Sequence, residues 1–239
     1  MNLVLFEAAE LDQPLPRSDR RAVHLVEVLQ RGVGDTFDAG VIDGARGKGT
    51  VTTLSASALG FTFHATTPAA PAAPLTVILG LPRPQTARDV LRDAATLGVA
   101  ALHFAVTEKT DPGYAQSRLW STGEWRRHLI AGAEQAFDPR LPTVSWGRPL
   151  AEVIANLPPG DVRLALDNYE APLPLGQCTV AREARVALAI GGERGWSARE
   201  RDLLRAQGFQ FHHLGSRVLR TETACTAALT LVRAKLGLM

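Results

Sequence analysis

The sequence predicts an α/β protein in which a small β-rich N-terminal domain precedes a larger domain built on a mainly parallel sheet. Three observations carry that reading. The stretch "TTPAAPAAP" at 66–74 is rich in Pro and Ala and has neither charge nor apolar periodicity, as a semi-rigid connector does. Ahead of it, residues 35–66 combine an Asp-Gly turn signal with alternating and β-branched residues, the pattern of a small antiparallel sheet or barrel. Behind it, short apolar runs alternate with amphipathic segments, as in a parallel sheet covered by helices.

In chain order, a short helix is expected near "SDRRAVHLVEVLQ", before the β-rich stretch. After the connector, "LTVILGL" at 75–81 is a buried-strand candidate, and "TARDVLRDAATLG" at 86–98 puts Val90, Leu91, Ala94 and Leu97 on one helical face. "VAALHFAV" at 99–106 is the next strand. "STGEWRRHLIAGAEQAF" reads as a helix opened by a capping box of Ser121 with Glu124. Strands follow at 162–167 and 185–190. A second capping box, Ser197 with Glu200, opens a helix that Gly208 ends. "FQFHHLG" gives the last strand, and a turn and helix finish the chain.

Composition bounds the function. With 239 residues, 46% of them hydrophobic, the chain can bury a substantial core. Its longest apolar runs are far too short to cross a bilayer, and the N-terminus turns acidic before a signal-peptide pattern develops, so a cytoplasmic protein is expected. Cys178 and Cys225 stand apart from any Cys-x-x-Cys or Cys/His cluster, and the histidines share no metal-ligand spacing; no metal is expected. The net charge of +2 is unevenly spread: residues 1–74 hold 6 Lys/Arg against 8 Asp/Glu, and the basic excess lies beyond them.

Two stretches can carry chemistry. "AIGGERGWSARE" at 189–200 is a strand, a glycine-rich loop and a capped helix; Gly191, Gly192 and Gly195 either let amides point at a ligand or make a tight strand-to-helix turn. It follows neither the Walker A order nor the three-glycine dinucleotide spacing. "LGSRVLRTETA" at 214–224 sets Arg217, Arg220, Thr221, Glu222 and Thr223 around Val218 and Leu219. A guanidinium there can hold phosphate or a developing oxyanion; equally, Thr221 or Thr223 caps a helix and the arginines are solvated. Glu134 and Gln135 form a weaker polar pair at a helix end.

The order of these pieces resembles the trefoil-knotted SPOUT methyltransferases, specifically the RsmE-type enzymes that methylate N3 of a uridine in 16S ribosomal RNA. "HLVEVLQRGVGDTF" at 24–37 is similar to the family's "H-x-x-x-VLR-x-x-x-GD", and "ATLGVAAL" at 95–102 to its "tELGV". Glu134, Gln135, Arg140 and Pro142 match "EQs-x-R-x-x-P", "IGGERGWSARE" matches "IGPEGGfs-x-x-E", and "LGSRVLRTETA" matches "LG-x-x-ILRtETA". The resemblance implies a PUA-like RNA-binding β-barrel over 1–70, a knotted methyltransferase domain over 75–239, a homodimer through the knot, and S-adenosylmethionine as cofactor. It implies a cofactor pocket made by Leu166, Ile190, Gly191, Gly192, Glu193 and Gly195 from one side. Leu214, Gly215, Val218, Leu219 and Thr223 supply the other. Arg220 is the implied catalytic donor, with Glu222 and Glu134 as candidate acids. His24, Arg31, Arg83, Arg140, Arg194 and Arg217 are implied to meet the RNA of the small ribosomal subunit.

The chain departs from the family pattern at Gln30, Thr96, Ala136, Gly192 and Arg194, and reads Thr107-Glu108-Lys109-Thr110 where the family has "teRs". Two other functions stand beside the methyltransferase: an RNA-binding or ribosome-assembly protein that keeps the fold, and a phosphate-ligand enzyme using "GGERG" as an anion cradle.

Overall fold

A computed structural model describes residues 3–11 and 13–239, which form two compact units. The first comprises residues up to Pro71 together with Ile130–Leu141; the second holds Ala72–Leu129 and Pro142–Met239. The sequence-based boundary in the Pro/Ala stretch therefore separates the strands of the two units but not residues 130–141.

The first unit contains β1 (Val4–Phe6), β2 (Leu15–Pro16), α1 (Arg20–Val23, continued by a π-helical turn over His24–Val28), β3 (Thr36–Val41), β4 (Arg46–Leu54) and β5 (Ala58–Thr67). Its five-stranded sheet has the order β1-β3-β4-β5-β2, parallel at β1/β3 and antiparallel elsewhere. Phe6, Phe37 and Phe61 fill its core, with the Phe6 and Phe61 rings stacked at 4.5 Å. Arg21 ties the short helix to the sheet: it pairs with Glu10 at 2.7 Å and Asp19 at 2.9 Å, donates to the Leu5 carbonyl, and lies over the Phe6 ring. Residues 130–141 cover Leu3 and Leu5, and the Leu3 amide donates to the Glu134 carbonyl.

The second unit runs β6 (Ala73–Gly80), α2 (Pro84–Thr96), β7 (Val99–Val106), α3 (Arg118–Ser121), α4 (Glu124–Ala136, its last seven residues counted with the first unit), β8 (Thr143–Pro149) and α5 (Leu150–Ala155). It continues with β9 (Val162–Leu166), β10 (Leu173–Pro174), β11 (Val186–Ile190), α6 (Ala198–Ala206), β12 (Gln210–His213) and α7 (Thr221–Lys235). All seven strands are parallel, in the order β10-β12-β9-β11-β6-β7-β8. Both faces are covered, which is why β11 reads "VALAI" without a polar break and is buried at all five positions. Ala187 and Ala189 pack with Val153, Ile154 and Leu204 of α5 and α6 in one core cluster.

The Ser197/Glu200 capping box forms, and Gly208 follows α6 at φ +78°. The expected Ser121/Glu124 box does not. Ser121 ends α3, its hydroxyl donating back to the Ser117 carbonyl, and the Glu124 carboxylate turns to Arg88 at 2.8 Å. An ion pair with a neighbouring helix has taken the acid that the local pattern assigned to a backbone amide.

In the first unit, a Cβ at Gly49 would lie 2.3 Å from the Phe37 ring, which is itself enclosed by Phe6 and Phe61. Gly49→Val should therefore cost about 2 kcal/mol through overpacking. Chemical denaturation should show an earlier midpoint, whereas an unchanged one would mean that the ring moves freely.

Candidate functional site

Because the strands of the second unit are parallel, their carboxyl ends lie along one edge. Leu166 ends β9, Ile190 ends β11 and His213 ends β12, and these three strands are neighbours with β6 beyond β11. The chain runs outward from β6 through β7 to β8, then crosses to β9 on the other side, so the edge near β6 and β11 is where the winding direction reverses. Ligand clefts in open α/β sheets form at such points. A cavity of about 190 Å³ lies here, walled by residues 166–169, by 190–196, and by a third segment from Leu214 to Ala224.

The glycine loop is tightly wound. The Gly195 amide donates to the Gly192 carbonyl at 2.9 Å, and a Cβ at Gly191 would come within 2.9 Å of the Gly195 Cα. Gly195 has a φ of +60°, a left-handed conformation that glycine takes without strain. The loop is also held from outside. Lys109 Nζ donates to the Arg194 and Trp196 carbonyls, each at 2.9 Å, and the Arg83 amide donates to Glu193 Oε1 at 3.0 Å. Trp196, fully buried, sends its Nε1–H to the Leu166 carbonyl at 3.0 Å, fastening the loop to the end of β9. Glu200 does double duty: one oxygen completes the α6 cap and the other accepts the Glu108 amide.

The wall after β9 is shaped by one buried carboxylate. Asp167 Oδ1 accepts the Tyr169 and Glu170 amides, both at 2.7 Å, and Oδ2 accepts Arg201 Nε at 2.7 Å. Arg201 also lies over the Tyr169 ring, which is otherwise 82% exposed beside the cavity. This places a flat aromatic face at the cleft in a fixed turn.

The third wall is apolar and open. Val218 is 84% exposed, Leu219 half-buried, and Thr221 and Ala224 of α7 close the end. Arg220 is the N-cap residue by its extended backbone (φ −63°, ψ 153°), without a side-chain cap, so Thr221 is the first helical residue rather than the cap. The Arg220 side chain is exposed, and Glu222 sits in the first turn. Behind the wall, burial pushes the Cys225 thiol up to about 12, which leaves it an inert core group.

Of the residues singled out in the sequence, Leu166, Ile190, Gly191, Gly192, Glu193 and Gly195 line the cavity, and so do Leu214, Val218 and Leu219. Gly215 and Thr223 are not among its lining. Gly215, at φ +104°, shapes the turn by donating to His213 Nδ1. Arg83 and Arg194 line a second depression of about 400 Å³ that shares Gly192–Gly195 with the first, and Arg217 is exposed on the 214–220 turn. His24, Arg31 and Arg140 belong to the first unit; Arg31 and Lys48 line a depression of about 580 Å³ there. Glu134 is also in the first unit, where Arg20 Nη2 meets both its carboxylate oxygens at 3.0 Å. Burial pushes its carboxyl above the usual carboxylate range, against the pull of Arg20. The sequence reading missed Asp167, Asn168, Tyr169, Trp196, Thr221 and Ala224 as lining, and Lys109 as the clamp. Among the described residues, no group of three or more His, Cys, Asp or Glu converges as a metal site, and no helix is long and apolar enough to cross a membrane.

The geometry defines a class: an α/β protein whose ligand cleft is walled by loops at the carboxyl edge of a parallel sheet. The model of the RNA methyltransferase domain family matches residues 69–233. A ribosomal RNA small subunit methyltransferase E from Treponema pallidum is 33% identical, the alignment covering 98% of this chain and 91% of the relative. Among solved structures, a probable rRNA methyltransferase from Porphyromonas gingivalis superimposes with a TM-score of 0.82 at 21% identity, covering 99% of each chain. A ribosomal RNA small subunit methyltransferase E from Neisseria gonorrhoeae, bound to S-adenosyl methionine, gives 0.78 at 23% identity, covering 98% of this chain and 97% of that one. This chain belongs to the RNA methyltransferase domain family, in its ribosomal RNA small subunit methyltransferase E group.

Asp167→Ala removes the acceptor of two loop amides and strands Arg201, a loss of about 3 kcal/mol for a broken buried pair. Hydrogen exchange should quicken at the Tyr169 and Glu170 amides; unaltered protection there would show that the turn holds without the carboxylate.

Proposed function

We propose that this protein transfers the methyl group of S-adenosylmethionine to N3 of a uridine in 16S ribosomal RNA. One observation carries the reading: three segments far apart in sequence wall a single cleft, in a chain that aligns over 98% of its length with a ribosomal RNA small subunit methyltransferase E. The residues present suit the cofactor. A Cβ at Gly195 would meet no protein atom within 4 Å, so the glycine leaves open room in the cleft, and Val218 and Leu219 offer apolar cover for a flat purine ring.

The bound cofactor supplies an electrophilic methyl group on a sulfonium, already activated for transfer. What remains for the protein is to align the base and manage its charge. N3 of uracil becomes nucleophilic when the imide proton leaves, and negative charge then spreads to the ring oxygens. Arg220, exposed and lying in sequence between the lining residues Leu219 and Thr221, is the favoured donor to that charge. Glu222, in the next turn, is the favoured acid for receiving the proton or orienting Arg220, since the Glu134 carboxylate is engaged by Arg20. Within the same reading, the second unit is trefoil-knotted and pairs as a homodimer, and the first is a PUA-like RNA-binding barrel that uses His24, Arg31 and Arg140. Arg83, Arg194 and Arg217 steer RNA toward the cleft. The reaction belongs to the cytoplasm, where the small ribosomal subunit is.

Nucleoside mass spectrometry of 16S rRNA from a deletion strain should show loss of 3-methyluridine. An unchanged level would leave the chain as an RNA-binding or assembly protein. Arg220→Ala should slow methyl transfer about a hundredfold, as removal of an oxyanion donor does, with S-adenosylhomocysteine affinity unchanged by calorimetry; equal losses would make Arg220 part of the cofactor pocket. Gly195→Val, at a positive φ and facing open cleft, should lower that affinity, and normal binding would contradict the cofactor's placement.

A further inference from the structure

We infer that Arg88, Arg118 and Arg127 form a phosphate-binding patch on the second unit, outside the cofactor cleft, that holds the backbone of the RNA substrate. The choice of RNA as the polyanion rests on the methyltransferase reading above. The three arginines share an open depression of about 490 Å³ with Thr122, Gly123 and Glu124. Its one acid is already satisfied: Glu124 accepts from Arg88 Nε at 2.8 Å and lies 3.4 Å from His128 Nε2. Arg88 first, then His128, holds that carboxyl below the usual range. Arg118 and Arg127 are exposed, and among the described residues neither guanidinium has an ion-pair or hydrogen-bond partner. Like charges gathered at one concave spot repel each other, and a bound anion relieves that repulsion. Guanidinium forks match phosphate oxygens in particular.

The patch stands on a rigid base. Trp120, two residues from Arg118, is buried, stacked on Trp146 at 5.0 Å and packed on Phe104 at 5.0 Å. Thr122 Oγ1 donates to the Arg118 carbonyl at 2.7 Å, closing the turn that carries the arginine. Trp125 in turn packs on Trp146 next to Glu124. Helix α2 links the patch to the depression beside the glycine loop. Arg83, at the start of α2, lines the depression beside the glycine loop, and Arg88 lies five residues further along, about 7.5 Å at the helical rise. A strand whose target base reaches the cleft can thus continue past Arg83 onto the three arginines.

The test is the salt dependence of binding to a 16S rRNA transcript and to a single-stranded oligoribonucleotide. Losing two phosphate contacts in Arg118→Ala/Arg127→Ala should flatten the slope of log affinity against log salt by about 1.4 to 1.8. The KM for RNA should rise while S-adenosylhomocysteine affinity stays constant. Arg182→Ala, an exposed arginine ahead of β11 at the opposite strand ends, should leave the slope unchanged. Wild-type slope and RNA affinity in the double variant would overturn the inference, as would a change confined to oligomeric state in sedimentation. The binding slope is read without methyl transfer. An inactive wild-type enzyme would therefore count against the proposed reaction and not against the patch.

Discussion

The site depends on the register of β11 between two parallel neighbours. Ile190 lies opposite Leu79 of β6 on one side and Leu166 of β9 on the other, so three strands end almost level. A slip of one residue would move Ala187 and Ala189 off the face that meets α5 and α6 and put Leu188 there instead. The small alanines admit the helices; the larger residues fill the other side. Once that register is fixed, the loops leaving β9, β11 and β12 have little choice but to enclose a common space.

Enclosure alone would leave those loops soft, and side chains from elsewhere in the sequence harden them. Lys109 crosses to two carbonyls of the glycine loop, Trp196 reaches the last carbonyl of β9, and Asp167 is satisfied by two amides and Arg201. Each bonds backbone groups at the strand ends and in the loops. The result is a cleft two of whose walls are braced by hydrogen bonds, with Val218 and Leu219 on the third. The Thr107–Thr110 stretch belongs to the same support: the two hydroxyls bond each other at 2.9 Å and fix the turn from which Lys109 extends.

Much of this was legible where the signal is local. The Ser197/Glu200 box, Gly208, the apolar run of β11 and the glycine loop all need only near neighbours in sequence, and the family resemblance located the 214–224 wall. What escaped notice depends on distant partners. Ser121 and Glu124 have the spacing of a cap, yet Arg88, 36 positions away, takes the acid. Asp167 in "LDNYE" looks like an ordinary turn residue until Arg201 is brought against it. The strand β8, "TVSWGRP", lies at the sheet edge, is half-exposed along much of its length and carries Gly and Pro, so its alternation is weak. β1 is only three residues long.

The discontinuity of the first unit also bears on how the protein is made. Leu3 and Leu5 are covered by Ala133, Ile130, Phe137 and Leu141, which the ribosome adds more than a hundred residues later. During synthesis the five strands can pair early, but their outer apolar side stays wet until the chain through 141 has emerged. By then β6 and β7 of the other unit have already been made, so the first unit is completed only after part of the second has emerged.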